Sequence, residues 1–280
     1  MSSQRFEGQF RGHDQTELFF QTWTPEKVRG VFIITHGLSE HSECYHPLAK
    51  VLVEDGWQVY GWDLRGHGRS EGKRGYVKDL SQFIDDLEVF HNMVVKKSAG
   101  HNIVMFGHSL GGLITTRYLE SKKGNYAALC LSSPGFGLSV KVPVVKEKLA
   151  RIAINWFPTI TMYNEIKYED LSHLEEMQKY YRADNLRHDK ISPGLFLGMV
   201  ENFPLALENA GEITQPVLMQ LAGDDRLVSV EASRELFERL PNKKNQLLMY
   251  AESYHEIYND LDRDKVIADL KKFINIYLGA

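Results

Sequence analysis

The stretch "FGHSLGG", residues 106–112, decides how this chain is to be read. It closes the apolar run "NIVMFG" (102–107), which has strand character, and opens "LGGLITTRYLE" (110–120), which has helix character. Glycines favour neither element, so the junction needs a reason for them. A tight strand-to-helix turn supplies one: the residue at its apex holds a strained backbone conformation, and bulky neighbours would clash there. Such a turn lifts the Ser109 hydroxyl above the sheet edge. It also aims the first N–H groups of the helix at the place where negative charge develops during attack on a carbonyl. The plainer alternative is a glycine turn whose serine only caps the helix.

Outward from this turn, strand and helix alternate. "RGVFIITHG" (29–37), "WQVYGWD" (57–63) and "AALCLSS" (127–133) read as strands, and "HPLAKVLVEDG" (46–56) as a helix stopped by Gly56. Leu80, Phe83, Ile84, Leu87 and Val94 recur at helical spacing on one face. The alternation resumes late, with strands at 216–223 and 245–251 and helices at 231–240 and 264–278. Strands apolar on both faces predict a mostly parallel sheet covered by helices, an α/β fold. Between residues 135 and 205 the alternation breaks into helical stretches separated by prolines, without a convincing strand. A long insertion with its own secondary structure predicts a cap. The expected organisation is therefore a core over 1–134, a mainly helical cap over 135–205, and a returning core over 206–280.

Bulk properties narrow the function class. The chain has 280 residues, 43% of them hydrophobic, enough for a large core. Lys and Arg number 33 against 37 Asp and Glu, a net charge of −4, so no basic excess points to nucleic acid. Two cysteines, Cys44 and Cys130, do not make a disulfide framework. The opening "MSSQRFEGQF" has neither the basic start nor the apolar run of a signal peptide, and no apolar run is long enough to span a bilayer. A cytoplasmic protein, peripheral at a membrane, is the expectation.

A serine hydroxyl needs a base, and the base needs an acidic group to orient it. On a sheet of this kind both stand at the ends of later strands, acid first. "QLAGDDRLVS" (220–229) ends one strand in carboxylates and "YAESYHEIYND" (250–260) ends the next in a histidine. His255 is therefore the candidate base among eleven histidines. Asp225 is the preferred acid and Asp224 the alternative. "THGLSEHSECY" (35–45) turns directly after a strand, so the N–H of Leu38 can join that of Leu110 as a two-donor oxyanion hole. His36, His41 and His46 lack the spacing that sets two metal ligands on one helical face. No metal site is expected.

Taken together and in this order, "HGLSEHSECY", "WDLRGHGRSEG", "GHSLGG", "DDRLVS" and "YHEIYND" resemble the monoacylglycerol lipase and lysophospholipase branch of the α/β hydrolases. The likeness runs from about Val28 to the C-terminus and is weakest through the cap. It implies a Ser109–Asp225–His255 triad, a flexible helical cap, no cofactor, and hydrolysis of single-chain lipid esters such as monoacylglycerols or lysophospholipids. It also implies that Glu40 helps bind the glycerol end of the substrate, the alternative being a structural carboxylate. Some members carry an arginine where this chain has Cys44 and a histidine where it has Tyr258. Other esters or thioesters, or a non-catalytic ligand-binding role, are the competing functions. In the cap, Val145, Leu149, Ile152 and Trp156 fall on one helical stripe bracketed by Pro143 and Pro158, near Lys141, Lys146, Lys148 and Arg151. "PGLFLGMV" (193–200) is apolar almost all round. The stripe either packs on the core or, with Leu149, Ile152, Phe196 and Met199, lines an acyl tunnel whose outer face meets a micelle or membrane surface.

Overall fold

The computed structural model describes residues 4–122, 124–140 and 144–278. Six parallel strands build the centre of the sheet: β3 (Gly30–Thr35), β4 (Trp57–Trp62), β5 (Ile103–His108), β6 (Ala128–Ser132), β9 (Val217–Ala222) and β10 (Gln246–Tyr250). The order is β1-β2-β4-β3-β5-β6-β9-β10. β1 (Gln4–Arg11) pairs antiparallel with β2 (Glu17–Thr24), and β2 antiparallel with β4. These two N-terminal strands lie outside the strands expected from the sequence. The signal of β1 is a short alternation, Phe6, Gly8 and Phe10 against Arg5, Glu7 and Gln9, suited to an edge strand with charged residues facing water.

Each inner strand is buried almost completely because helices cover both faces. One face packs on α2 (Ser81–Lys97) and α3 (Leu110–Lys122), with Phe83, Leu87, Phe90, Leu113, Ile114 and Leu119 in the core. The other packs on α1 (His46–Glu54) and α8 (Arg263–Leu278), through Leu48, Leu52, Leu270 and Phe273. α7 (Val230–Arg239) follows β9, and the Ser229 hydroxyl caps it by accepting the N–H of Ala232 at 3.1 Å.

The cap lies between β6 and β9 and is mainly helical, with α4 (Val144–Trp156), α5 (Glu175–Ala183) and α6 (Pro193–Asn209). It also contains a small antiparallel ribbon, β7 (Met162–Tyr163) with β8 (Lys190–Ile191), too short to register as a strand pattern. α6 passes through residue 205, so one helix joins the cap to the returning core. Its glycines permit close approach: a Cβ on Gly194 would lie 2.5 Å from the Val77 carbonyl oxygen, and one on Gly198 would lie 2.9 Å from the Leu80 nitrogen.

Candidate active site

The glycines of "FGHSLGG" are explained by crowding. A Cβ on Gly107 would sit 2.6 Å from the Gly111 carbonyl oxygen, and one on Gly111 would overlap the carbonyls of Thr35 and His36. The start of α3 is thereby pressed against the ends of β5 and β3. Between them Ser109 holds φ at +51°, a left-handed conformation that costs a non-glycine residue energy. The surroundings over-determine it: the Ser109 carbonyl accepts N–H groups from Gly112 (2.9 Å), Leu113 (3.2 Å) and Gly135 (2.9 Å), while its own N–H donates to Ser132 O at 3.1 Å.

The ends of β9 and β10 bring Asp225 and His255 together. His255 Nδ1 is 2.8 Å from Asp225 Oδ2, with both side chains buried. The other oxygen, Oδ1, accepts the N–H groups of Leu227 (2.9 Å) and Val228 (3.0 Å), which locks the carboxylate toward the ring. Asp224 points the other way, exposed, 3.1 Å from Arg226. Burial alone would depress the His255 pKa, but the charge and hydrogen bond of Asp225, joined by the charges of Glu256 and Glu40, outweigh it and the net shift is upward. Burial would likewise raise Asp225, and the His255 charge and bonds hold it low. The His255 ring lies 4.9 Å from that of His108, the residue before Ser109. Burial, then the charge of His255, drives His108 down to about 3, so it is neutral at physiological pH.

The remaining sequence candidates are distributed as follows. Gly37 abuts Ser109, since a Cβ there would be 3.1 Å from the Ser109 Cβ. Leu38 follows it and packs half-buried against the core, and Leu110 is the first residue of α3, where helix N–H groups are unsatisfied within the helix. Glu40 is buried. Its Oε2 accepts the Gly37 N–H at 2.7 Å and the Tyr45 hydroxyl at 2.8 Å. The glycine-rich block at 62–72 braces this loop: Asp63 accepts the N–H groups of Ser42 and Arg69, both at 2.7 Å. His36 uses both ring nitrogens, on Gly37 O (2.7 Å) and the Leu64 N–H (3.0 Å); His41 is 2.7 Å from Asp184, and His46 accepts Trp23 Nε1–H at 2.9 Å. His41, Cys44 and Asp184 do bring ligand-type atoms within 4.8 Å of one another, but the Arg187 guanidinium already stands 3.6 Å from the Cys44 sulfur.

In the cap, Leu149 is 59% and Ile152 58% exposed, and Trp156 76%. Their stripe is not part of the core. α4 rests on α6 through its opposite side, with Ala150 buried and Arg151 bonded to Glu201 at 2.8 Å. Arg151 also pairs with Glu147, so its charge is compensated, whereas Lys148 is exposed. On α6, Phe196 and Met199 are half-buried, Met199 against the core. Lys141, Pro143 and the side chain of Lys146 lie outside the described residues.

Sequence reasoning missed a buried polar group beside the site: Arg187, Glu256 and Tyr181. Arg187 Nη2 is 3.2 Å from Glu256 Oε1 and 3.5 Å from Glu40 Oε1, and its guanidinium lies 4.1 Å from the Tyr181 ring centre. Glu256 adjoins His255 in "YHEIYND" (254–260), which was an available signal; Arg187 sits in "NLRHDK" (185–190), which carries no pattern. At the other departure from the family blocks, the Tyr258 hydroxyl donates to Gln220 at 2.5 Å and turns into the core.

A serine at a strained strand-to-helix turn on this sheet topology defines the α/β-hydrolase class, and the protein is a serine ester hydrolase of that class. The chain belongs to the serine aminopeptidase S33 family (Hydrolase_4), whose pattern matches residues 26–262, and within the α/β hydrolases to the monoacylglycerol lipase branch. Monoacylglycerol lipase of Mycolicibacterium smegmatis is 31% identical, over 99% of this chain and 100% of that protein. Phospholipase YtpA of Bacillus subtilis is 24% identical, over 92% of this chain and 99% of that protein. The crystal structure of Paleococcus ferrophilus monoacylglycerol lipase matches with a TM-score of 0.84 at 28% identity, covering 99% of this chain and 100% of that one. Among the described residues no helix is long and apolar enough to cross a membrane.

Proposed function

We propose that this protein hydrolyses single-chain lipid esters, monoacylglycerols first and lysophospholipids second, through an acyl-enzyme on Ser109. The observation that carries the reading is the 2.8 Å contact between His255 Nδ1 and Asp225 Oδ2. A carboxylate on Nδ1 keeps the proton there and leaves Nε2 as the basic nitrogen. His255 takes the Ser109 proton as the oxygen attacks the ester carbonyl, and Asp225 stabilises the resulting imidazolium. The N–H groups of Leu38 and Leu110 hold the oxyanion. His255 then gives its proton to the leaving alcohol, and water repeats the sequence to release the fatty acid.

A lipid rather than a small soluble ester is supported by the cap. An exposed stripe of Val145, Leu149, Ile152 and Trp156, continued by Phe157 and Ile160, suits a surface that meets the substrate aggregate through its apolar face. Phe196 and Met199 lie on the helix beneath it and are the proposed inner wall for the acyl chain. The relatives support the ester class and divide over the head group, one being a monoacylglycerol lipase and another a phospholipase.

The test is a turnover screen over monoacylglycerols, lysophospholipids, thioesters and p-nitrophenyl esters of increasing chain length, with fluorophosphonate labelling of the wild type and Ser109→Ala. The expected result is labelling lost with Ser109 and the highest kcat/KM on a long-chain monoacylglycerol. Preference for acetate or thioesters would overturn the substrate assignment, and labelling that survives Ser109→Ala would overturn the nucleophile.

A further inference from the structure

The buried arginine of the cap touches both halves of the reaction centre. Arg187 follows α5 and reaches into the core, where its Nη2 faces Glu40 at 3.5 Å, Glu256 at 3.2 Å and Cys44 Sγ at 3.6 Å. Glu40 belongs to the oxyanion loop and grips the Gly37 N–H at 2.7 Å. Glu256 adjoins His255 and accepts the Tyr181 hydroxyl at 2.6 Å and the Asn259 amide at 2.9 Å. One guanidinium therefore serves two buried carboxylates on two different loops. We infer that Arg187 is a positioning residue for hydrolysis: as the shared counter-charge of Glu40 and Glu256, it holds the Gly37–Leu38 turn and the His255 loop in mutual register.

The inference rests on the assignment of the Leu38 N–H as an oxyanion donor. Two carboxylates in one buried site cannot both stay charged without a cation. Burial already pushes the Glu40 carboxyl up, and the charge of Glu256 pushes it further. Burial would raise Glu256 too, but Arg187, as the largest of the opposing partners, together with His108 and the Tyr181 and Asn259 hydrogen bonds, brings it down. Without the guanidinium one carboxylate takes up a proton and loses acceptor strength. Glu40 then releases the Gly37 N–H, and the turn that presents Leu38 relaxes. A shift of about 1 Å in such a donor can cost about 10²-fold in rate.

The geometry also shows where a replacement cation can come from. Cys44 points at the guanidinium, its sulfur 3.6 Å from Arg187 Nη2, and it lines a small cavity with Glu40, Tyr45, His108 and Glu256. Arginine at position 44 would deliver the same charge from the core instead of the cap.

The experiment measures kcat and KM on p-nitrophenyl butyrate, with melting temperatures, for wild type, Ser109→Ala, Arg187→Met, Cys44→Arg and the double variant Arg187→Met/Cys44→Arg. Arg187→Met is expected to lower kcat about 10- to 100-fold with KM changed less than about two-fold. The double variant is expected to regain at least about tenfold of that loss and to exceed Cys44→Arg alone, which crowds two guanidiniums together. Turnover of Arg187→Met within about two-fold of wild type overturns the inference. So does a double variant that regains melting temperature but not kcat, because that is the mark of a merely structural arginine. If Arg187→Met does not fold, the double variant decides alone: folded and active supports the inference, inactive or insoluble overturns it. A Ser109→Ala variant that keeps turnover defeats the nucleophile assignment instead, whatever the Arg187 series does.

Discussion

Two helices of thirteen residues each, α3 and α4, pose the same problem and solve it in opposite ways. α3 has no clean apolar stripe, yet it is buried on nearly every side, with Leu110, Thr115, Thr116, Leu119 and Glu120 all sequestered. α4 has the better stripe, and the stripe points outward, with Leu149, Ile152 and Trp156 exposed. Periodicity thus identifies a face that wants cover but not what covers it. The hydrophobic effect is non-directional, and a core and a lipid aggregate both satisfy it. The difference also separates rigidity from adaptability. α3 starts directly after Ser109 and is wedged by glycine contacts against two strands, as the proposed oxyanion site requires. α4 packs on α6 and leaves its apolar stripe exposed.

The comparison breaks first at Ser109. Replacing it with alanine is expected to lower ester turnover by about 10⁶ while leaving the melting temperature in place, because the loss is of the nucleophile and not of packing. Activity retained by a folded Ser109→Ala protein would move the chemistry away from the α3 turn.

Asp225→Asn comes next, with an expected fall of about 10⁴ in kcat through the wrong tautomer and orientation of His255. Asp224→Asn removes only an exposed, solvent-screened pair with Arg226 and is expected to leave turnover near wild type. Kinetics on the two variants side by side test the assignment, and the reverse ranking would transfer the role to Asp224.

The pH profile tests the electrostatics of the rigid half. Protonated His255 cannot accept the serine proton, so kcat/KM falls as pH drops through its pKa. Because Asp225, with smaller contributions from Glu256 and Glu40, more than offsets the effect of burial, that midpoint is expected above the ordinary histidine value of about 6.5. In Asp225→Asn the residual activity should show a midpoint shifted downward. A midpoint unmoved by removing the carboxylate would break the link between the pair and the acid limb.

The smallest expected effect on stability belongs to the adaptable half. Leu149→Asp places a charge on an exposed site, so the change in stability should stay within about 0.5 kcal/mol. Turnover of p-nitrophenyl butyrate should persist, while turnover of a micellar long-chain monoacylglycerol should fall about tenfold, since an added charge opposes insertion of the apolar face. Equal loss on both substrates would sharpen the comparison against a lipid role for α4.

Much of the site was legible because its signals are short-range. "FGHSLGG" combines a strand end, a helix start and the glycines that crowding demands within a few residues. "YHEIYND" set a histidine directly beyond a recognisable strand. The six parallel strands stand where the sequence carries short apolar runs, while their order across the sheet came from the structure. The N-terminal strands were harder to see, because β1 is an exposed edge whose side chains carry little apolar pattern.

By itself, then, the sequence determined the alternating α/β core, the cap between β6 and β9, and Ser109 and His255 as the pair to examine, since each depends on residues close in the chain. The tertiary structure alone decided which aspartate faces His255, because the backbone N–H groups of Leu227 and Val228 turn Asp225 inward and leave Asp224 in water. It alone decided that the α4 stripe faces out. It alone set Arg187 between Glu40 and Glu256, residues far apart in the chain whose charges interact only through the space into which the fold brings them.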